Sequence, residues 1–281
     1  MVTPTQFTLE YALVSHPGQV RPLNEDALGA RPDLGLFVLC DGLGGYNAGE
    51  IAATMAVSSL MSRLADDCAK AQADGVPLDA RSVLAARLIE MNAVIARAAA
   101  NSAAFEGMAT TIVIAWILGE RLWVAHAGDS RLYRFREGVL EGITRDHSFS
   151  QELLDAGMVT EEEAKSLPAK NLVTRALGAA GDVEPEVNDY PLRVGDVLML
   201  CSDGLTEMID DVQIAGAIFA SVPDVQRAAQ RLVDLANAAG GRDNVSVIVV
   251  RLAGRKGLEP RRAPPKVPPP PDPTQPAAPT G

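Results

Sequence analysis

Cysteine, histidine and aromatic residues are scarce in this chain. Its three cysteines, Cys40, Cys68 and Cys201, show no zinc-ligand spacing and are too few for a disulfide framework. A phosphatase with a cysteine nucleophile carries an arginine six residues after the thiol, and here Tyr46, Asp74 and Glu207 stand at those places. Cys40 and Cys201 each close an apolar run and read as buried strand residues, which fits a reducing cytoplasm. The three histidines (His16, His126, His147) form no H-E-x-x-H pair. None lies beyond His147 to complete a serine triad downstream of Gly128-Asp129-Ser130. His126, inside an apolar strand, reads as structural, and His147, after Asp146, is open to either role. No Walker phosphate loop is present. The strongest apolar stretch, Ile112 to Leu118, is too short to cross a bilayer. Met1 to Gln6 lacks a basic region followed by an apolar run, so neither export nor membrane insertion is expected.

Positive charge is also in deficit. The net charge is −11, and five basic against two acidic residues from Arg255 onward leave −14 on residues 1–254. Such a body repels nucleic-acid backbones, although it can bind phosphorylated groups when cations stand between.

With 47% hydrophobic residues the chain can bury a sizeable core. The clearest boundary is compositional: ten of the nineteen prolines lie between Pro260 and Pro279. Residues 255–281 are therefore expected to be an extended, disordered tail acting as a spacer, and residues 1–254 the folded domain. Val57, Leu60, Met61 and Leu64 form one helical stripe, and Leu84, Leu88, Met91 and Ile95 form another in a helix from about 80 to 104. Strand-like runs occur at Gly35–Cys40, Thr110–Leu118, Leu122–Ala127, Leu132–Arg136, Val194–Cys201 and Val245–Leu252, with Gly119-Glu120 a turn between two of them. Paired helices followed by hairpin-like strands predict an α+β fold with helices layered on antiparallel sheet.

Aspartates recur where these runs end. Leu36–Cys40 leads into Asp41-Gly42, Val197–Ser202 into Asp203-Gly204, and Leu122–Gly128 into Asp129, while Asp243-Asn244 precedes Val245–Leu252. A single Asp-Gly marks a turn. Four aspartates at strand mouths, with Glu25-Asp26 near another, point further: carboxylates gathered on one rim repel unless a cation neutralises them, and a hard divalent ion with oxygen ligands does so. The glycines of Asp41-Gly42-Leu43-Gly44-Gly45 allow a sharp turn that brings a carbonyl close to such an ion. The acidic run Glu161-Glu162-Glu163, in the segment Phe149 to Asn171, reads as a solvated helix.

Eight motifs in order carry a resemblance: Arg21-Pro-Leu-Asn-Glu25-Asp26, Asp41-Gly-Leu-Gly-Gly45, Gly107-Met-Ala-Thr-Thr111, Gly128-Asp-Ser-Arg131, Thr144-Arg-Asp-His-Ser148, Leu172-Val-Thr-Arg-Ala-Leu-Gly178, Cys201-Ser-Asp-Gly204 and Gly241-Arg-Asp-Asn244. Together they resemble the bacterial form of the protein phosphatase 2C (PPM) family. The resemblance implies a central antiparallel β-sandwich flanked by helices on both faces, a four-layer αββα arrangement with metals at one end. It implies that Asp41 bridges two Mn²⁺ or Mg²⁺ ions, that Asp203 and Asp243 hold one, and that the Gly42 carbonyl and Glu25 or Asp26 serve the other. Asp129, with Asp203, matches the place of a third, weaker metal. Arg21 matches the arginine that grips the substrate phosphate, and Asn244 would orient a ligand or water. A departure is Leu43, where some relatives carry a histidine proposed as general acid; leucine cannot donate a proton.

The implied activity is hydrolysis of phosphoserine and phosphothreonine in proteins by a water activated between two metals, with Arg21, Asp26, Asp41 and Asp203 as the catalytic set. It would oppose a cognate Ser/Thr kinase in bacterial signalling or type VI secretion, in the cytoplasm and as a monomer. A non-catalytic phosphoprotein-binding scaffold and a two-metal hydrolase for small phosphoesters are the alternatives.

Overall fold

Apolar runs that are hydrophobic at every position, rather than at every second one, need cover on both faces. The computed structural model, which describes residues 5–254 apart from residues 46, 169–171, 180 and 182, provides it. Among the described residues one antiparallel sheet has the order β1 (Phe7–His16), β11 (Val245–Gly254), β10 (Val197–Cys201), β7 (Arg131–Arg136), β8 (Val139–Gly142). The other runs β2 (Asp26–Arg31), β3 (Leu36–Leu43), β5 (Ile112–Leu118), β6 (Arg121–Ala127), β9 (Glu186–Pro191), with the short β4 (Ala109–Thr110) on β3. The proline-rich tail assigned to residues 255–281 lies outside the described residues.

Alternate side chains of each central strand go to different cores. Phe37 and Leu39 of β3 meet Leu198 and Leu200 of β10 and Ile248, Val250 and Leu252 of β11 between the sheets. Leu36, Val38 and Cys40 face outward onto α1 (Ala48–Ala73) and α2 (Ala80–Ala100), against Leu60, Leu64, Leu84 and Leu88. On the other face, Val197 and Met199 with Val245, Val247 and Val249 pack against α6 (Asp211–Ser221) and α7 (Val225–Ala238). The result is the four-layer αββα sandwich expected. All three cysteines are buried and free, and no helix among the described residues is long and apolar enough to cross a membrane.

Gly119 and Glu120 make the two-residue turn between β5 and β6, with Leu118 opposite Arg121 and φ +60° at Gly119. The acidic segment forms two short helices, α3 (Phe149–Asp155) and α4 (Glu161–Ser166). Thr160 caps α4 through a reciprocal bond with Glu163, and all three glutamates sit in its first turn, where the exposed N–H groups favour negative charge.

Ile248 is fully buried in the inter-sheet core. Its replacement by alanine is expected to lower unfolding free energy by about 2–5 kcal/mol in urea titrations, and a loss below about 1 kcal/mol would contradict this packing.

Candidate metal centre

The sandwich brings the expected acidic residues to one end. Asp26 and Asp41 are direct cross-strand partners on β2 and β3. Asp129 follows β6, Asp203 follows β10 and opens the short helix α5 (Asp203–Thr206), and Asp243 stands two residues before β11. Arg21, Glu25, Asp41, Gly42, Asp129, Asp203, Asp243 and Asn244 all line one cleft of about 160 Å³.

Backbone and hydroxyl contacts fix the main chain at Asp41 and the carboxyl group of Asp26. The Asp41 amide donates to Thr111 Oγ1 at 3.0 Å. Its carbonyl accepts from the Thr111 amide at 2.8 Å and from Thr110 Oγ1 at 2.9 Å. Thr111 Oγ1 also meets Ser130 Oγ at 2.7 Å, beside Asp129. Ser202 Oγ donates to Asp26 Oδ2 at 2.9 Å and itself accepts from the Ser246 amide at 3.0 Å. Asn244 uses its amide on the loop carrying Glu25. Its Oδ1 accepts from the Glu25 amide at 2.8 Å, and its Nδ2 donates to the carbonyls of Pro17 and Leu23 at 3.0 and 2.7 Å. Asn244 therefore orients Glu25 through the main chain. Arg21 donates to Asp243 Oδ2 at 2.7 Å, with both side chains reaching solvent.

Two glycines are sterically required. A Cβ on Gly42 would lie 2.2 Å from the Gly49 carbonyl, where the first turn of α1 presses on the loop. One on Gly204 would lie 2.0 Å from the Asn244 carbonyl, separating Asp203 from Asp243.

Burial and mutual repulsion dominate the electrostatics. Burial is the largest influence on Asp26, Asp129 and Asp203, raising their pKa values to about 7, about 8 and about 6. Burial first, and then the neighbouring Asp26, Asp203 and Asp129, hold Asp41 well above the usual carboxylate range. Glu25 is raised by burial against the opposing pull of Arg21. Glu25 Oε1 and Asp26 Oδ1 are buried without a hydrogen-bond partner. Orphaned carboxylate oxygens facing like charges are the donor set a hard divalent cation takes, so these residues fit Mn²⁺ or Mg²⁺.

The histidines do something else. His126 and His147 stack with ring centroids 4.5 Å apart and planes 7° from parallel. His126 Nε2 bonds the Arg145 carbonyl at 2.8 Å, and the Gly128 amide donates to His147 Nδ1 at 3.2 Å. Burial lowers both pKa values, His147 to about 4. Glu186 completes a trio whose ligand atoms lie within 4.8 Å of one another. Parallel rings, however, aim their lone pairs along parallel planes, and the pair fastens the segment 144–148 to β6. The structural reading of His126 extends to His147.

Sequence pattern alone does not mark Thr111, Ser130, Ser202 and Ser246 as site residues. Three of them lie within the quoted motifs, and Ser246, a fully buried polar residue in the apolar run of β11, carried its own signal.

A protein-family model described as protein phosphatase 2C matches residues 19–239. The chain is 40% identical over 243 residues to the serine/threonine protein phosphatase PstP of Mycobacterium tuberculosis, covering 86% of this chain and 44% of that protein. It thus spans less than half the length of this relative. The solved catalytic domain of PstP in complex with two manganese ions superposes with a TM-score of 0.75 at 38% identity, covering 87% of this chain and 98% of that one. PppA of Pseudomonas aeruginosa, described as a key regulatory component of its type VI secretion system, superposes with a TM-score of 0.72 at 33% identity, covering 87% and 97%.

The raised carboxylates give a pH test. Asp203, Asp26 and Asp129 keep their protons up to about pH 6, 7 and 8 in the folded chain, against roughly 4 when unfolded. Between those limits the folded form binds more protons than the unfolded one, so their contribution to stability falls as pH rises. A divalent cation that displaces these protons offsets that loss. The rise in Tm caused by Mn²⁺ over an EDTA control is expected to be larger at pH 8 than at pH 6; an equal or reversed effect would contradict cation binding at this cluster.

Proposed function

This chain belongs to the protein phosphatase 2C family, and on that premise we propose that it is a protein-serine/threonine phosphatase. The observation that carries the reading is the meeting of Glu25, Asp26, Asp41, Asp129, Asp203 and Asp243 at one end of the sandwich, with buried carboxylate oxygens left unpaired. Asp41, central among them, would bridge two Mn²⁺ or Mg²⁺ ions; Asp203 and Asp243 would hold one, and the Gly42 carbonyl with Glu25 or Asp26 the other. Asp129 and Asp203 would hold a third, weaker ion. When bound, the two tight ions supply an activated water and neutralise charge on the phosphoryl group.

The chain's own residues perform the rest. Arg21 is half-exposed at the rim and uses one nitrogen on Asp243; the remaining donors of its planar fork suit phosphate oxygens. Asn244 keeps the Glu25 loop in place, and the Ser202 hydroxyl, itself held by the Ser246 amide, keeps Asp26 in one orientation. Leu43 lines the cleft without a transferable proton, so protonation of the leaving alkoxide falls to another group.

The substrates in this reading are phosphorylated proteins, and the partner is a Ser/Thr kinase whose action it reverses in bacterial signalling. The likeness to PppA makes type VI secretion one setting for such a pair. A cytoplasmic location agrees with three buried free thiols.

Phosphate release from a phosphothreonine peptide, with Mn²⁺ and with EDTA, tests the proposal. Turnover should appear with the metal and vanish with the chelator. Asp41→Asn and Asp203→Asn should each reduce it by at least about a hundredfold while circular dichroism stays unchanged. Arg21→Ala should raise KM about tenfold, the weight of one charged hydrogen bond. A folded, metal-loaded protein with no turnover would favour the non-catalytic scaffold.

A further inference from the structure

Beside the carboxylate cleft lies a second and larger concavity that the chemistry above leaves unused. It encloses about 750 Å³ and joins the cleft at Asp129 and Asp203, which line both. Its walls come from β7, the helices α3 and α4, and the stretch from α5 to the start of α6. Two arginines line it, and both are already engaged. Arg131 is gripped by both oxygens of Asp146 at 2.7 Å each, and Arg145 pairs with Asp155.

Acidic groups make up the rest of its charge. Glu161 from α4 lines it together with Glu207, Asp210 and Asp211 from the stretch that leads into α6, and all four are exposed. The acidic run of α4 therefore divides in two: Glu163 serves the capping bond with Thr160, while Glu161 lines the groove. A groove of this sign repels the phosphate itself, which belongs at the cations and Arg21. It attracts positive side chains next to that phosphate, and the two places share Asp129 and Asp203 as lining.

We propose that this groove receives the residues flanking the phosphorylated side chain and selects substrates carrying lysine or arginine there. The proposal rests on the phosphatase reading of the cleft and adds a substrate class to it.

The test compares phosphothreonine peptides of one length, flanked by arginine, alanine or glutamate, with the metal-loaded full chain. The kcat/KM of the arginine peptide should exceed that of the glutamate peptide about tenfold at low ionic strength, chiefly through KM. The ratio should approach one in about 1 M NaCl, where charges are screened beyond roughly 3 Å. In the triple variant Glu161→Gln, Asp210→Asn, Asp211→Asn it should fall to about two; asparagine at position 210 can still cap α6. Equal kcat/KM for the arginine and glutamate peptides in the unaltered chain would overturn the proposal and leave the phosphatase reading standing. A preference that survives both high salt and the triple variant would also overturn it. Failure to hydrolyse any peptide would remove the phosphatase reading and this proposal with it.

Discussion

Everything at the active end follows from one constraint: six acidic side chains must be held together although they repel. Two unit charges about 4 Å apart at an effective dielectric near 20 repel by about 4 kcal/mol. With no cation bound, burial and then this repulsion favour the protonated carboxyl groups, which raises the pKa values of Asp26, Asp41, Asp129 and Asp203. The same residues fit a divalent cation, which removes the repulsion without protons. A site built this way destabilises its own fold until it is loaded, so the stabilising packing lies elsewhere, in three apolar layers that contain none of the six.

The acidic groups are rigid because they sit where strands end, not on long loops. Asp26 and Asp41 are fixed by the β2–β3 register itself. Asp203 and Asp243 are brought together by the β10–β11 pairing, which continues past the strand end through the Ser202 amide and the Ser246 carbonyl. Hydroxyl groups finish the work. Threonine and serine bond to carboxylates and backbone without adding charge to a place that already has too much, which explains their presence in an otherwise apolar neighbourhood.

The layered fold was legible because β3, β5, β10 and β11 are buried on both faces and so appear as unbroken apolar runs. β1 and β2 show no such run, for the opposite reason: β1 is an edge strand with much of its length exposed, and β2 mixes Gly29 with polar ends. α7 was readable in principle, since Ala228, Ala229, Leu232, Val233 and Ala236 form one buried stripe. The aspartates announced themselves by following apolar runs. Their mutual arrangement did not, because the pairing of Asp26 with Asp41, and of Arg21 with Asp243, depends on strand register and on contacts across more than two hundred residues.

The cleft and the groove are joined mechanically as well as electrostatically. Gly128, immediately before Asp129, exchanges two bonds with His147: its amide donates to Nδ1, and its carbonyl accepts from the His147 amide at 2.9 Å. One residue earlier, Asp146 clamps Arg131, and one residue later Ser148 caps α3 on the groove wall. Any displacement of that wall therefore pulls on the loop bearing Asp129. Rigid stacking of His126 on His147 opposes such movement, and keeping both rings neutral and buried adds no further charge beside the carboxylates. The histidines, scarce and outside the cleft lining, hold the acidic rim and the groove in one fixed relation.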